Sequence, residues 1–404
     1  MKAVTLPDDV VNPDAKGRII LVVLDGVGGL PHPEHGRTEL ETARTPNLDR
    51  LAAESSLGRH LPVEVGITPG SGPGHLSLFG YDPTRFVVGR GALSALGVGF
   101  ELEKGDVAVR LNLATLDAEG RVLDRRAGRP SDAEAREVVD RLREGIQLRD
   151  EGVRFFLLPE KEHRVVLVLR GSGLEAEVQD TDPQATGVPP LPPEALSPGS
   201  RRTAQVLEDL VGQARAILAG EAQINGILAR GFALYEGFPS LRDRFGLRGA
   251  AHARYPMYRG VARLVGMDVP GVPNSDEEAV ALLEENAGAF DFHFIHMKAP
   301  DSRGEDGDFD GKVAAIEEAD GWIARIRALE PDALVVTGDH STPATLRAHS
   351  WHPVPLLIHS RWSRPSAKRF HEGTCRTGDL GVIRGREIMS LALAHAGRLQ
   401  KFGA

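Results

Sequence analysis

The sequence predicts an α/β protein built on a mostly parallel sheet flanked by helices, with a smaller α+β domain inserted into it. Short apolar runs alternate with helix-like segments, as in Ile19–Leu24, Phe292–Met297 and Ala333–Thr337. Uninterrupted apolar runs of this length are typical of parallel strands that are buried on both faces. Ligand-type side chains follow such runs in both flanks of the chain and are rare in its middle, so an insertion explains the pattern better than two tandem domains.

Local signals predict the elements in order. The first flank contains a strand, a helix that opens at Thr45 with proline at its first position, and a Gly/Pro/Ser-rich loop at 70–74. The middle contains strands at 107–116, 153–158 and 164–169, a helix after a capping box at 131–134, and a proline-rich loop at 181–200. The second flank contains a helix capped by Ser275, a helix at 310–329, and strands at 291–296, 333–337 and 354–358. We therefore expect a discontinuous core of residues 1–99 and 251–404, and an inserted domain of residues 100–250.

Composition excludes several classes of protein. The chain has 404 residues, 41% of them hydrophobic and 26% charged, which is typical of a globular protein with two domains. Its net charge of −9 argues against a nucleic-acid partner, since no long basic stretch offsets the acidic residues. The longest apolar run, Ile19–Leu24, is too short to span a membrane, and the polar start is no signal peptide. Because Cys375 is the lone cysteine, we expect a cytoplasmic protein; the sequence does not indicate its oligomeric state.

The most informative stretch lies after the run 333–337. Asp339 and His340 stand side by side there, and His349 follows nine residues later. Open α/β sheets place their chemistry at the carboxyl ends of the strands, and carboxylate with imidazole suits divalent metals such as Mn, Zn or Fe. A surface turn would explain this stretch equally well if it stood alone.

Three other segments add weight to a metal site. Asp25 follows the first strand, where it is a turn residue or a first metal ligand. Ser71 stands between glycines, in a flexible turn or as a nucleophile that a metal would activate. Asp301 follows the strand at 291–296, and its position favours a metal ligand. Either His349 or His352 could complete a second site.

The acidic run that begins at Glu305 admits two interpretations. Asp301 and Glu305 flank a predicted glycine turn, while the carboxylates that follow, at 306, 308 and 310, are typical of a solvated loop.

A set of motifs, in order and with matching gaps from about residue 18 to 390, carries a family resemblance. They are Leu24-Asp-Gly, Thr45-Pro-Asn-Leu-Asp, Gly70-Ser-Gly-Pro-Gly-His-Leu, Phe79-Gly-Tyr-Asp-Pro, Gly89-Arg-Gly, Asp124-Arg-Arg-Ala-Gly-Arg129, His296-Met-Lys-Ala-Pro-Asp301, Gly338-Asp-His-Ser-Thr-Pro343 and Pro353-Val-Pro. The chain resembles the archaeal-type branch of the cofactor-independent phosphoglycerate mutases, which belong to the alkaline-phosphatase superfamily. The resemblance implies a metal-binding, alkaline-phosphatase-like core and gives the inserted domain of residues 100–250 the role of holding the substrate.

The resemblance also implies two divalent metal ions and no 2,3-bisphosphoglycerate. Matched by position, one ion would be held by Asp25, Ser71, Asp339 and His340, and the other by Asp301, Glu305 and His349. The family has histidine where this chain has Glu305, and its histidine four residues before Pro-Val-Pro favours His349 over His352. We expect Mn²⁺, with Mg²⁺ or Co²⁺ as possible substitutes.

The implied activity is the interconversion of 3-phosphoglycerate and 2-phosphoglycerate, in glycolysis and gluconeogenesis, through a phosphoserine at Ser71. The candidate residues for binding the phosphorylated glycerate are Arg110, Asp124, Arg126 and Arg129 in the insert, with Arg259 and His75 in the core. The alternatives are a metal-dependent phosphomonoesterase, a sugar-phosphate mutase, and a metal-binding protein without turnover. The last would have no need of the Ser71 hydroxyl.

Overall fold

The computed structural model describes residues 6, 10–12, 14–86 and 88–403. The chain forms two compact units, which we call the core unit (Met1–Val87 and Pro239–Ala404) and the inserted unit (Val88–Phe238). In the described residues, no helix is long and apolar enough to cross a membrane.

The first part of the core unit presents two candidate side chains at the ends of regular elements. Its elements are β1 (Ile19–Leu24), α1 (Glu39–Thr42), α2 (Pro46–Ala52), β2 (Ser56–Leu61) and α3 (Ser71–Leu78). All six residues of β1 are buried, and Asp25 follows directly. The predicted loop at 70–74 is wrong, since Ser71 begins α3. Glycine is needed there because a Cβ on Gly74 would lie 2.5 Å from the carbonyl oxygen of Asp339.

The inserted unit is an antiparallel sheet with helices on both faces. Its elements are α4 (Arg90–Gly97), β3 (Val107–Leu116), β4 (Val122–Asp124), α5 (Asp132–Gly145), β5 (Arg154–Lys161), β6 (Arg164–Arg170), α6 (Arg201–Ile217) and β7 (Gly226–Leu234). The strand order is β4-β3-β6-β5, with β7 also paired to β3. Apolar residues of α5 and α6 pack on one face of the sheet, and alanines of α4 pack on the other.

The remainder of the core unit completes a seven-stranded sheet. Its elements are α7 (Leu241–Phe245), β8 (Gly249–His252), α8 (Pro256–Leu264), α9 (Asp276–Asn286), β9 (Phe292–Met297), α10 (Ala299–Asp306), α11 (Phe309–Arg327), β10 (Ala333–Thr337), β11 (Val354–His359), α12 (Glu372–Cys375), β12 (Gly381–Arg384), a 3-10 turn (Gly385–Glu387) and α13 (Ile388–His395). The strand order is β12-β2-β11-β10-β1-β9-β8, and only the β10–β11 and β11–β2 pairs are antiparallel. The predicted α/β class with a mostly parallel sheet is confirmed.

The centre of this sheet brings the candidate ligands to one edge. Strand β1 lies between β9 and β10 and is parallel to both, so the carboxyl ends of all three strands coincide. Asp25, Asp301 and Asp339 follow these ends. The sequence predicts a turn between Asp301 and Glu305, but the two residues lie one helical turn apart on α10. Proline near the N-terminus of α10 is compatible with the start of a helix.

The predicted domain boundaries at 99/100 and 250/251 differ from those of the compact units. Helix α4 belongs to the inserted unit because Ala92 and Ala95 pack against Ala108 and Val166 of its sheet. Helix α7 and β8 belong to the core unit, where β8 pairs with β9.

Candidate metal and nucleophile site

One group of buried ligand-type atoms lies where β1, β10 and α3 meet. Asp25, Asp339 and His340 each offer an atom within 4.8 Å of the others. The Nε2 atom of His340 lies 3.4 Å from Oδ1 of Asp25 and 3.2 Å from Oδ2 of Asp339. The Ser71 hydroxyl oxygen is 3.4 Å from the same nitrogen. The structure thus brings together all four members of the first expected ligand set.

Thr342 determines which nitrogen of His340 faces this group. Its hydroxyl lies 2.5 Å from Oδ1 of Asp301 and 2.9 Å from Nδ1 of His340. A carboxylate only accepts, so the hydroxyl donates to Asp301 and accepts the proton of Nδ1. In the neutral form of His340, the lone pair is therefore on Nε2. Gly26 leaves room for this bridge, since a Cβ there would lie 2.5 Å from the hydroxyl oxygen, and its φ of +62° suits glycine.

A second group shares His340 with the first. Asp301, His340 and His349 also offer atoms within 4.8 Å of one another. The Nδ1 atom of His349 donates to the carbonyl oxygen of Pro69 at 2.9 Å, so the lone pair of the neutral ring is on Nε2. That Nε2 lies 3.5 Å from Oδ1 of Asp301 and 3.6 Å from Oε1 of Glu305.

Glu305 differs from the other candidate ligands in its exposure. Its side chain is 55% exposed, whereas that of Asp301 is fully buried. It contacts His349 but lies outside the compact group of Asp301, His340 and His349. His352 is in neither group, and its Nδ1 lies 3.1 Å from the hydroxyl oxygen of Ser350.

The donor atoms fit divalent cations. Oδ1 of Asp25 and Oδ2 of Asp339 are buried and have no hydrogen-bond partner. Both oxygens lie beside Nε2 of His340, and two buried carboxylate oxygens so close together cost free energy unless a positive charge compensates them. Carboxylate with imidazole is a donor set of Mn²⁺, Zn²⁺ and Fe²⁺ sites. Asp25, Ser71, Asp339 and His340 could therefore hold one ion, and Asp301, His349 and Glu305 a second.

Lys298 places a positive charge beside two of the candidate carboxylate ligands. Its Nζ donates to Oδ2 of Asp25 at 3.1 Å and to Oδ2 of Asp301 at 2.5 Å. Burial alone raises the pKa of Asp25, but the hydrogen bond from His296 and the charge of Lys298 hold it well below its ordinary value. Asp25 is therefore an anion at neutral pH. The Lys298 side chain is 18% exposed, so it is also accessible to a ligand.

Two expected substrate contacts have other partners in the structure. His75 is fully buried, and its Nδ1 lies 3.2 Å from Oδ2 of Asp339 and 2.8 Å from the carbonyl oxygen of Ser71. Burial lowers the pKa of His75, but the charge and hydrogen bond of Asp339, together with the charge of Asp25 and the hydrogen bond to Ser71, raise it above its ordinary value. Arg259 is buried on α8, and its guanidinium donates to the carbonyl oxygens of Ala253 and Arg254. In this structure His75 therefore contacts a candidate ligand and Arg259 contacts the backbone, and the substrate contacts expected for them stay predictions.

The inserted unit carries a separate cluster of arginines on one face of its sheet. Arg110 of β3 is the cross-strand partner of Arg230 on β7. Arg164 of β6 is paired with Asn112, two residues along β3 from Arg110, and so lies on the same face of the sheet. Burial lowers the pKa of Arg110 to about 10; the charge of Glu160 opposes this shift, and those of Arg164 and Arg230 add to it. The Nε atom of Arg110 is buried without a hydrogen-bond partner. Such a cluster attracts an anion.

The other candidates of the insert lie in one tight turn. Asp124 accepts the backbone N–H groups of Arg126 at 2.8 Å and Gly128 at 2.6 Å. Its carboxylate therefore shapes the turn, in which Ala127 and Arg129 have φ values of 45° and 56°. Arg126 and Arg129 are exposed, which leaves their guanidinium groups accessible to a ligand.

Several residues around the site were missed in the sequence. Tyr258, His296 and Thr342 hydrogen-bond the ligands, and Lys312 donates to the carbonyl oxygens of Gly26, Gly28 and Thr342. His296 and Lys298 carried a usable signal because they share one motif with Asp301, and Thr342 carried one because it shares a motif with Asp339 and His340. Arg164 and Arg230 could have been found from the strand register, which places them beside Arg110.

Fold and site together define a class: an α/β protein that gathers carboxylates, imidazoles and a serine hydroxyl at the carboxyl edge of its sheet. The family model described as 2,3-bisphosphoglycerate-independent phosphoglycerate mutase matches residues 52–225. A relative from Thermus thermophilus, named a probable 2,3-bisphosphoglycerate-independent phosphoglycerate mutase, is 53% identical over 391 residues, which are 96% of each chain. The chain belongs to this family, and the resemblance found in the sequence is confirmed.

One further relative and two solved structures are also similar to this chain over nearly its whole length. A Deinococcus radiodurans relative with the same name is 52% identical over 394 residues, again 96% of each chain. The cofactor-independent phosphoglycerate mutase from Thermoplasma acidophilum is 28% identical with a TM-score of 0.72, over 94% of this chain and 100% of that one. A protein from Pyrococcus horikoshii is 32% identical with a TM-score of 0.80, over 96% and 100%.

Proposed function

We propose that this protein interconverts 3-phosphoglycerate and 2-phosphoglycerate through a phosphoserine at Ser71, with two divalent ions and without 2,3-bisphosphoglycerate. One observation carries the proposal. The Ser71 hydroxyl lies at the start of α3, 3.4 Å from Nε2 of His340 and beside carboxylates with unpartnered oxygens. A passive metal site has no need of this hydroxyl.

The ions, when bound, supply the positive charge that activates a serine hydroxyl at neutral pH and offsets charge on a phosphoryl group. We assign one ion to Asp25, Ser71, Asp339 and His340. The other is assigned to Asp301, His349 and Glu305, with Mn²⁺ as the preferred metal.

The chain's own residues carry the reaction in two balanced steps. The Ser71 hydroxyl loses its proton and its oxygen forms a bond to phosphorus as the bond from phosphorus to the C3 oxygen of glycerate breaks, and the C3 oxygen takes up one proton in exchange. The C2 hydroxyl of the retained glycerate then loses its proton and takes the phosphoryl group, which restores the Ser71 hydroxyl. Lys298, charged and partly exposed, is placed to bind a phosphoryl oxygen.

We assign binding of the glycerate carboxylate and phosphate to the inserted unit. Arg110, with its buried unpartnered Nε, and the exposed Arg126 and Arg129 are the proposed contacts. Planar guanidinium groups bind both kinds of anion with paired hydrogen bonds. Asp124 contributes by shaping the turn that presents Arg126 and Arg129. Retention of glycerate and exclusion of water distinguish a mutase from a phosphatase. The reaction belongs to glycolysis and gluconeogenesis, and we place it in the cytoplasm.

The test is to incubate the full-length protein with 3-phosphoglycerate and Mn²⁺ and to follow 2-phosphoglycerate and free phosphate together. We expect 2-phosphoglycerate to accumulate in large excess over phosphate. Intact-mass analysis after brief exposure to substrate should show one added phosphoryl group. Phosphate as the main product would instead identify a metal-dependent phosphomonoesterase.

Ser71→Ala should lose both the reaction and the added mass. Ser77→Ala is the matched control, since Ser77 lies on the same helix with its hydroxyl beside Gly385. Activity that survives in Ser71→Ala would refute the phosphoserine.

A further inference from the structure

The two carboxylate oxygens of Asp25 have opposite surroundings. Oδ2 lies 2.5 Å from the Tyr258 hydroxyl, 2.9 Å from Nε2 of His296 and 3.1 Å from Nζ of Lys298. Oδ1 is buried without a hydrogen-bond partner and lies 3.4 Å from Nε2 of His340. One oxygen therefore receives three donors, while the other is left for the cluster of candidate ligands.

We propose that Tyr258 is a positioning residue: its hydroxyl holds Oδ2 so that Asp25 meets a divalent cation through Oδ1 alone. This inference rests on the metal site of the proposed function and adds a residue to it. Outer hydrogen bonds of this kind orient metal-binding carboxylates and raise their affinity.

Tyr258 is better suited to this role than the other two donors. Lys298 divides its hydrogen bonds between Asp25 and Asp301, and its side chain is partly exposed. His296 stacks on the Tyr258 ring with centroids 3.6 Å apart, so the phenol ring also supports this second donor. Tyr258 is 1% exposed and donates to Asp25 at the shortest of the three distances.

The backbone holds Tyr258 rigidly in place. It stands in the first turn of α8, whose first residue is Pro256, and its ring also contacts His75 at a centroid distance of 4.9 Å. A buried phenol packed against both His296 and His75 is held beside the carboxylate. Removal of its oxygen would leave Oδ2 with two donors and let Asp25 rotate, so that either or both oxygens could bind the cation.

The test is a Mn²⁺ titration of the metal-stripped full-length protein, by calorimetry and by the electron paramagnetic resonance signal of free Mn²⁺. Tyr258→Phe keeps the ring and removes only the hydroxyl. We expect wild type to bind two ions and the variant to bind one of them about 10–100-fold more weakly. Tyr81→Phe is the matched control, since Tyr81 is equally buried and its hydroxyl donates to the carbonyl oxygen of Pro239 at 2.6 Å.

A double variant separates positioning from general damage. If Tyr258 acts through Asp25, then Tyr258→Phe should cause no further loss of Mn²⁺ affinity in an Asp25→Asn background. A variant that merely weakens the fold would lose affinity in both backgrounds, which would overturn the inference.

Titration curves of Tyr258→Phe and Tyr81→Phe that superimpose on wild type would also overturn it, while leaving the metal site intact. A wild-type protein that binds no Mn²⁺ would refute the metal site of the proposed function and this inference with it.

Discussion

Replacement of Lys312 by methionine should destabilise the core unit and loosen the candidate site together. Lys312 is fully buried on α11, and its Nζ donates to the carbonyl oxygens of Gly26, Gly28 and Thr342 at 2.9, 3.0 and 2.8 Å. The segment that contains Gly26 follows Asp25, and Thr342 follows His340. One ammonium group thus ties together the two segments that carry the ligands. Methionine has nearly the same length but no donor and no charge.

The expected loss follows from the partners that Lys312 leaves behind. The oxygens of Gly26 and Gly28 also accept the backbone N–H of Thr342, at 3.2 and 3.0 Å, so they keep one partner. The buried carboxylate of Glu39, whose Oε1 lies 3.9 Å from Nζ, loses its cation. Removal of one member of a buried charge pair costs about 3–5 kcal/mol. Burial lowers the pKa of Lys312, a sign that its desolvation opposes the gain, so we expect the lower end of that range.

Tryptophan fluorescence during urea unfolding measures the free energy of unfolding of the core unit. All three tryptophans, Trp322, Trp351 and Trp362, belong to the core unit. Lys368→Met replaces an exposed lysine of the same unit and serves as the control, which should stay within about 0.5 kcal/mol of wild type. Addition of Glu39→Gln to Lys312→Met should recover part of the loss, because it removes the uncompensated carboxylate. A Lys312→Met protein as stable as the control would refute the reasoning.

Three further predictions concern metal preference, substrate binding and pH. With two carboxylates and one imidazole in the second site, activity should be best with Mn²⁺, usable with Mg²⁺ and poor with Zn²⁺; Glu305→His should shift the preference towards Zn²⁺ or Co²⁺, whereas unchanged metal dependence in Glu305→Ala would show that Glu305 is no ligand. Arg129→Lys should lower the mutase rate more than hydrolysis of an aryl phosphate, since lysine cannot form a paired hydrogen bond. The control is Arg136→Lys, at an exposed arginine of α5. The prediction would be contradicted if Arg129→Lys lowered both rates equally, or if the control lost as much mutase activity as Arg129→Lys. Burial raises the pKa of Glu372 from 4.5 to about 7, so the folded state binds more protons than the unfolded state between these values and stability falls as pH rises through them. Glu372→Gln should therefore gain melting temperature relative to wild type from pH 5 to pH 8, and parallel pH profiles would count against it.

The central strands could be predicted because their signal is local. A parallel strand that is buried on both faces must be apolar throughout, so β1, β9 and β10 stand out as unbroken runs. The residue after each run then lies at the functional edge of the sheet. This reasoning located Asp25 and Asp339 before any tertiary contact was known.

Helices at the site were harder to predict because packing outweighs propensity there. Glycine and proline at 70–74 are typical of a loop, yet Ser71 begins α3, and Gly74 is required by the carbonyl oxygen of Asp339. The glycine between Asp301 and Glu305 likewise suggested a turn. A Cβ on Gly304 would lie 2.2 Å from the carbonyl oxygen of Thr342, so this glycine permits close approach within α10.

The residues that orient the ligands could not be found from the sequence, because their partners are remote along the chain. Tyr258 is 233 residues from Asp25, and Lys312 is 286 residues from Gly26. Neither a buried tyrosine nor a lysine on an amphipathic helix reveals its acceptor. The carboxylate alone would present either oxygen to a cation. At the proposed metal site, the choice of Oδ1 would depend on the donors that α8 and β9 bring to Oδ2, so distant segments would determine which atom of Asp25 binds.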